Sequence, residues 1–149
     1  MVRAVCLALL AAAHIAPRAG ADELLAREAV ALQALGFDYG ADAALPGEGV
    51  AWKMDCSNTS RFLIRRARGV ELPRTAAGQY EFVRKHGRIK RAAGIFGAVP
   101  EASWWSKRLK PGDLLFWEHT YKPRSRPPVT HVMVFLGRDG IGDLLMAGA

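Results

Sequence analysis

The sequence predicts a single domain of the α+β class, in which helices come first and strands follow. Apolar residues recur at helical spacing in the first half of the chain, up to about residue 85. Short apolar runs bounded by glycine, proline and aspartate, which are typical of strands, come after residue 109. Elements segregated in this order favour N-terminal helices packed on a small antiparallel sheet.

The first 21 residues are predicted to be a secretory signal peptide. A positive start at Arg3 precedes an apolar run, Ala4–Ala16, and the small residues Ala19–Ala21 form a cleavage site. An ordinary buried helix is the weaker alternative, because proline and glycine interrupt the pattern near that site. The run is too short to span a bilayer, and Cys6 is not placed for lipidation. We therefore expect a secreted or periplasmic domain, residues 22–149, without a membrane span.

Composition narrows the classes of partner and cofactor. The chain has 149 residues, 21 basic and 14 acidic, with a formal charge of +7, and this length suits one compact domain. A basic exported domain suits an anionic cell-wall surface and makes nucleic acid a poor candidate. The domain after cleavage contains a single cysteine, Cys56, so no internal disulfide or zinc-thiolate cluster can form. We expect no metal, no cofactor and a monomer.

Three helices are predicted, in chain order. The first spans residues 22–35 and ends at Gly36, and residues 37–50 form a loop rich in glycine and alanine. The second helix spans residues 56–68, with Asp55 as its N-cap and Gly69 as its stop. A shorter helix is expected over residues 75–85.

Three strands are predicted in the C-terminal part. A Lys-Pro-Gly-Asp turn at residues 110–113 leads into the first strand, 114–117. A basic, proline-rich loop at 118–128 separates it from the second strand, 131–136. A turn containing three glycines then leads into the third strand, 144–147.

Cys56 and His131 are the candidate catalytic residues. A thiol at a helix N-terminus can ionise more easily because of the unpaired N–H groups there, although the adjacent Asp55 works against a second negative charge. A histidine is then needed as base and proton donor, and His131 opens a strand. Two alternatives stay open: Cys56 as a small buried core residue, and His131 as a strand-end histidine bonded to a carbonyl.

Four segments in a fixed order carry a resemblance. They are "DCS" at 55–57, "GVELPRTAAGQ" at 69–79, "LKPGDLLFW" at 109–117 and "THVMVFLG" at 130–137. Together they resemble the NlpC-type cell-wall cysteine peptidases of the papain-like superfamily. The likeness extends from about Phe37 to the end of the sequence.

The resemblance implies a papain-like fold and a peptidase of peptidoglycan stem peptides. Cys56 matches the nucleophile and His131 the general base, while Asp55 and Ser57 match positions that hold the free amino end of the stem peptide. The bond cleaved would be the D-glutamyl–diamino acid amide, through a thioester on Cys56. The alternative is a non-catalytic cell-wall-binding relative that has lost the third catalytic residue.

The sequence departs from the family pattern at the third catalytic residue. The resemblance implies a polar side chain on the strand after His131, where this chain has the apolar run 144–147. Asp143 has a suitable spacing, whereas alignment on the strand places Ala147 or Gly148 there. The domain ends directly after this strand, so a C-terminal truncation is an open alternative.

Two further departures lie near the nucleophile. Asn58 stands where glycine is usual, and Phe37 stands where a substrate-contacting tyrosine is usual, with Tyr39 two residues on.

Overall fold

A computed structural model describes residues 8–9, 20–42, 44–47, 53–86, 88–90, 106–122 and 126–149. The helices are α1 (Ala21–Ala34), α2 (Cys56–Arg68) and α3 (Ala76–His86), with a one-turn 3₁₀ helix at Ser106–Arg108. The strands are β1 (Ala8–Leu9), β2 (Asp38–Tyr39), β3 (Lys53–Met54), β4 (Arg88–Ile89), β5 (Leu114–Glu118), β6 (Val129–Arg138) and β7 (Leu144–Ala147). The predicted α+β class is confirmed. Within the described residues, no helix is long and apolar enough to cross a membrane.

Helix α2 begins and ends where the sequence predicts. Asp55 adopts an extended backbone and its carboxylate accepts a hydrogen bond from the N–H of Asn58, as an N-cap does. Gly69 has a φ of 68°, in the left-handed region, and its N–H donates to the carbonyl of Arg65. Glycine adopts this conformation without the steric cost that a Cβ would add. Local sequence chemistry therefore fixes the position of Cys56 as the first residue of α2.

The main sheet has the strand order β4-β1-β5-β6-β7. Strands β5, β6 and β7 are antiparallel neighbours, with Trp117 opposite His131 and Val134 opposite Ala147. The two-residue strand β1 bridges β4 and β5 and lies inside the segment predicted to be the signal peptide. The rest of that segment, apart from residues 20 and 21, lies outside the described residues.

The core lies between α2 and one face of the sheet. Leu63 and Ile64 of α2 are fully buried and share one hydrophobic cluster with Val132 and Val134 of β6. Phe62 and Ala67, which the helical spacing places on the same face, pack against this cluster while partly exposed. Burial of each such aliphatic side chain contributes about 1.5–3 kcal/mol. Helix α2 is thereby held against the strand that carries His131.

The Lys-Pro-Gly-Asp turn ties β5 to β6 and to the end of α2. The N–H of Gly112 donates to the carbonyl of Phe135 over 2.8 Å, and the N–H of Phe135 donates to the carbonyl of Asp113 over 2.8 Å. Arg68 donates to the carbonyl of Pro111 over 2.8 Å. This turn sets the register in which β6 runs past α2.

One of the two predicted loops contains a strand, and the other is only partly described by the structure. Residues 37–50 are expected to be a loop, but Asp38–Tyr39 pairs in parallel with Lys53–Met54 to form a small second sheet. The pairing partner lies 15 residues away, so local propensity gives no signal for it. Residues 123–125 of the loop expected at 118–128 lie outside the described part of the chain.

Candidate active site

The start of α2 is built on a network of hydrogen bonds around Asp55. Asp55 Oδ1 accepts from the N–H of Asn58 and from Ser57 Oγ, each over 2.8 Å. Arg74 donates to both carboxylate oxygens, with Nη1 at 3.0 Å from Oδ1 and Nη2 at 2.9 Å from Oδ2. Bidentate, charge-assisted pairs of this kind are strong and orient both groups. The residue before the nucleophile candidate is therefore held rigidly.

The charge of Asp55 is matched by Arg74. Burial alone would raise the pKa of Asp55, but the hydrogen bonds from Arg74, from the Asn58 N–H and from Ser57 together hold that pKa below its ordinary value. Arg74 Nη1 also donates to Ser57 Oγ over 2.7 Å. Asp55 and Ser57 thus share one guanidinium. The sequence placed Asp55 and Ser57 together but gave no indication that Arg74 joins them.

A buried glutamine supports the next turn of α2. Gln79 is 0% exposed, and its amide donates to the carbonyl of Ser57 over 2.8 Å and to that of Pro73 over 3.0 Å. Its carbonyl oxygen accepts from Ser60 Oγ over 2.7 Å. Since a buried polar side chain is costly unless it is paired, these bonds hold α3 in a fixed position against the first turn of α2.

Asn58 connects the helix start to the loop between β2 and β3. It is 0% exposed, and its amide nitrogen donates to the carbonyl of Asp42 over 2.6 Å. Arg74 Nε donates to the same carbonyl over 2.7 Å. Asn58, which the resemblance places where glycine is usual, therefore links the helix start to Asp42 and Ala44.

Cys56 is buried beneath this frame, with 7% of its surface exposed. Burial raises the pKa of its thiol, the N–H of Val132 lowers it through a hydrogen bond to the sulfur, and the Asp55 carboxylate raises it. Weaker lowering comes from the N–H groups of Ser57 and of Cys56 itself, and the net pKa lies above the ordinary value. The favourable effect of the helix start is present but burial outweighs it, so the resting thiol is protonated.

His131 lies half-buried near the start of β6, directly opposite Trp117 of β5. The two rings are 5.5 Å apart between centroids and are tilted by 54°. Burial lowers the pKa of His131 below its ordinary value, so the imidazole is neutral at neutral pH. A neutral imidazole is the form that can accept a proton from a thiol.

Cys56 of α2 and His131 are placed at neighbouring residues of β6. Cys56 shares a buried cluster with Val132, the residue directly after His131. Within the described ranges, no hydrogen bond joins Cys56 Sγ to a ring nitrogen of His131, and no polar side chain bonds the imidazole. The raised pKa of the thiol and the lowered pKa of the imidazole favour an uncharged pair at rest over a thiolate–imidazolium pair.

Within the described residues, no hydrogen bond joins His131 to a candidate for the third catalytic residue. Asp143 is exposed in the turn before β7, where its N–H donates to Asp139 Oδ1 over 2.9 Å. Ala147 lies opposite Val134, and Gly148 follows it without a side chain. No group of three or more His, Cys, Asp or Glu side chains that could hold a metal ion occurs in the described parts of the chain.

Tyr39 lies at the edge of the site. Strand pairing sets it opposite Met54, two residues before Cys56, and 73% of its surface is exposed. Partial burial, followed by the charges of Cys56, Asp55 and Tyr121, raises the pKa of Tyr39. Phe37, by contrast, packs against the core. Tyr39 therefore presents its phenol near the nucleophile candidate, whereas the Phe37 ring belongs to the core.

Comparison with known proteins assigns the family. A family model described as the NlpC/P60 family matches residues 36–145, which include α2, β5, β6 and both candidate catalytic residues. No curated protein matches the chain. Members of the NlpC/P60 family are generally cysteine peptidases or amidases of the cell wall, and the helices and small sheet are consistent with its papain-like fold. Because the match covers most of the sequence, the chain belongs to the NlpC/P60 family.

Proposed function

We propose that this protein is a secreted cysteine peptidase that hydrolyses the D-glutamyl–diamino acid amide in peptidoglycan stem peptides. The observation that carries the proposal is the placement of Cys56, first residue of α2, in one buried cluster with Val132 of β6, the residue directly after His131. The family match supports cell-wall peptidase chemistry in general. The residue roles and the choice of bond belong to the proposal.

The reaction begins from the neutral pair. His131 removes the thiol proton as Cys56 Sγ attacks the amide carbonyl, and backbone N–H groups at the start of α2 stabilise the oxyanion. The imidazolium then protonates the leaving amine as the C–N bond breaks, which leaves a thioester on Cys56. Water, deprotonated by His131, cleaves the thioester and restores the thiol.

Asp55 and Ser57 are proposed to hold the free amino end of the stem peptide. The Asp55 side chain is 15% exposed, and Oδ2 accepts a bond from Arg74. A carboxylate oxygen has two acceptor positions, so Oδ2 can also accept from a substrate ammonium. Ser57 is 3% exposed and its Oγ donates to Asp55, so its contribution is to orient the carboxylate.

A non-catalytic wall-binding protein is the second candidate. The low exposure of Cys56, its raised pKa and the lack of a polar partner for His131 in the described residues favour it. Both candidates use the same surface. They differ in whether a stem peptide leaves the protein cleaved or intact.

Export and attraction to an anionic wall complete the proposal. Without Arg3 and Arg18 of the predicted signal peptide, the exported domain has 19 basic and 14 acidic residues, a net charge of +5, which supports attraction to such a surface, although several arginines of α2 are paired with carboxylates of this chain, as Arg66 is with Glu28. N-terminal sequencing of secreted or periplasmic material should find Asp22, or a residue within two positions of it. A cytoplasmic protein that retains Met1 would contradict export.

Digestion of purified wall peptides, followed by mass spectrometry, separates the two candidates. The wild-type protein should release fragments cut after D-glutamate, whereas Cys56→Ser and His131→Gln should release none. His86→Gln is a matched control, because His86 is exposed on α3 away from the site. Retention of intact peptides by a folded wild-type protein would favour the binding candidate.

A further inference from the structure

The face of the sheet that carries His131 is apolar around the imidazole. His131 and Met133 are two residues apart on β6 and so lie on one face of the sheet. Trp117 is the direct neighbour of His131 on β5, and Leu115 is the direct neighbour of Met133. The opposite face, with Val132 and Val134, packs on α2.

The end of β7 lies beside Met133, the next residue after His131 on this face of β6. Val134 pairs with Ala147, so the next antiparallel partners along the strands are Met133 and Gly148. A Cβ added at Gly148 would lie 2.8 Å from Met133 Cγ, 3.3 Å from Met133 Cε and 3.4 Å from the carbonyl oxygen of Val132. Met133 Cγ is close to the backbone, so it cannot move aside as freely as the end of a long side chain. Met133 therefore fills the space that a side chain at position 148 would need.

We propose that Trp117 and Met133 are positioning residues. They hold the His131 ring by packing, in place of a polar side chain that would orient it through a hydrogen bond. The Trp117 ring contacts the His131 ring from β5, and Met133 is the next residue on the same face of β6. With Met133 in place, the position opposite it at the end of β7 has no room for a side chain. The role in catalysis rests on the proposed peptidase function, whereas the role in holding the ring does not.

The two roles give distinguishable readouts. Nitrogen-15 NMR of the histidine side chains, with His131 assigned through His131→Gln, reports the tautomer and ring environment without any substrate. Peptide cleavage reports kcat and KM. If the wild-type protein cleaves nothing, the proposed function fails and the NMR still decides the positioning proposal.

Removal of the packing residues is the first arm of the test. Trp117→Ala and Met133→Ala should change the His131 nitrogen signals. They should also lower kcat about 10- to 100-fold with little change in KM, because the base is misplaced whereas substrate binding is unaffected. Trp117→Phe and Met133→Leu should retain most of the wild-type behaviour. Leu144→Ala, which removes an apolar contact elsewhere on this face, should leave the His131 signals unchanged. Unchanged signals in both alanine variants would overturn the proposal.

Introduction of a polar partner is the second arm. Gly148→His alone should leave the His131 signals near those of the wild type, because Met133 excludes the new ring. The double variant Met133→Gly/Gly148→His should shift them to a single tautomer and raise kcat above that of Met133→Gly. An equal shift in Gly148→His alone would show that the place behind His131 is open and would overturn the proposal.

Discussion

Replacement of Arg74 by alanine should destabilise the protein and weaken the candidate nucleophile together. Arg74 donates four hydrogen bonds at the start of α2: two to Asp55, one to Ser57 and one to the carbonyl of Asp42. The pair is partly buried, with 27% of the Arg74 side chain and 15% of the Asp55 side chain exposed. Hydrogen bonds to charged groups contribute about 1.5–3 kcal/mol each when buried, but solvent screening reduces this for exposed groups. We expect a loss of about 2–3 kcal/mol in the free energy of unfolding, since half-buried Asp55 is also left without its cation.

The pH dependence of this loss has a definite sign. The folded-state pKa of Asp55 is held below its value in the unfolded chain, so its contribution to stability is present above the unfolded pKa of about 4 and is lost as pH falls through the folded pKa. The gap between wild type and Arg74→Ala should therefore be full at pH 7 and shrink below pH of about 4. Urea unfolding at a series of pH values measures it.

A second readout follows from the charge near the thiol. Without Arg74, the Asp55 carboxylate is unmatched and should raise the pKa of Cys56 further, which slows alkylation by iodoacetamide at pH 8. Arg84→Ala is the matched control, because Arg84 makes an exposed pair with Glu81 within α3, and such pairs contribute about 0–1 kcal/mol. Equal stability losses in the two variants, with no dependence on pH, would refute the role assigned to Arg74.

Three further predictions address separate parts of the structure. Asp113→Asn should stabilise the protein above pH 6, because burial raises the pKa of Asp113 to about 6. The native wild-type protein then binds this proton more tightly than the unfolded chain does. The free energy of unfolding of the wild type therefore falls by about 3 kcal/mol as pH rises from about 4 to about 6. Thermal unfolding should show wild type and variant converging below pH 4, and a variant less stable than wild type at pH 8 would contradict this. Gln79→Leu should lower the free energy of unfolding, measured with urea, by about 2–4 kcal/mol, because it leaves the carbonyls of Ser57 and Pro73 without their donor. An unchanged free energy of unfolding would show that these hydrogen bonds contribute little. The rate of Cys56 alkylation should keep rising above pH 9, since the pKa of the thiol lies above its ordinary value, and a plateau near pH 7 would show that a thiolate–imidazolium pair forms at rest.

Features that depend on neighbouring residues could be predicted from the sequence. Asp55 as cap and Gly69 as stop fixed α2 to the residue, because capping and left-handed glycine are local effects. The three strands were placed within one or two residues by their flanking turns. Cys56 could therefore be assigned to a helix start and His131 to a strand before any tertiary structure was known.

Features that depend on pairing between distant segments could not be predicted. The bond from Arg74 to Asp55 joins residues 19 apart, and the packing of Trp117 on His131 depends on a register that includes an irregularity after Trp117. The raised pKa of Cys56 was missed for a similar reason, since the helix-start effect is local whereas burial by β6 is not. The roles of Cys56, His131, Asp55 and Ser57 in catalysis stay predictions.

Intact-protein mass spectrometry during turnover tests the central claim most directly. The protein is mixed with a synthetic stem peptide that contains a D-glutamyl–diamino acid bond, and the reaction is stopped with acid within milliseconds to seconds. A peptidase that works through Cys56 should gain the mass of the amino-terminal fragment as a thioester, which fragmentation places on Cys56 and which Cys56→Ser lacks. Cleavage of the peptide without this adduct and unaffected by Cys56→Ser, or no adduct and no cleavage by the folded wild-type protein, would contradict the account.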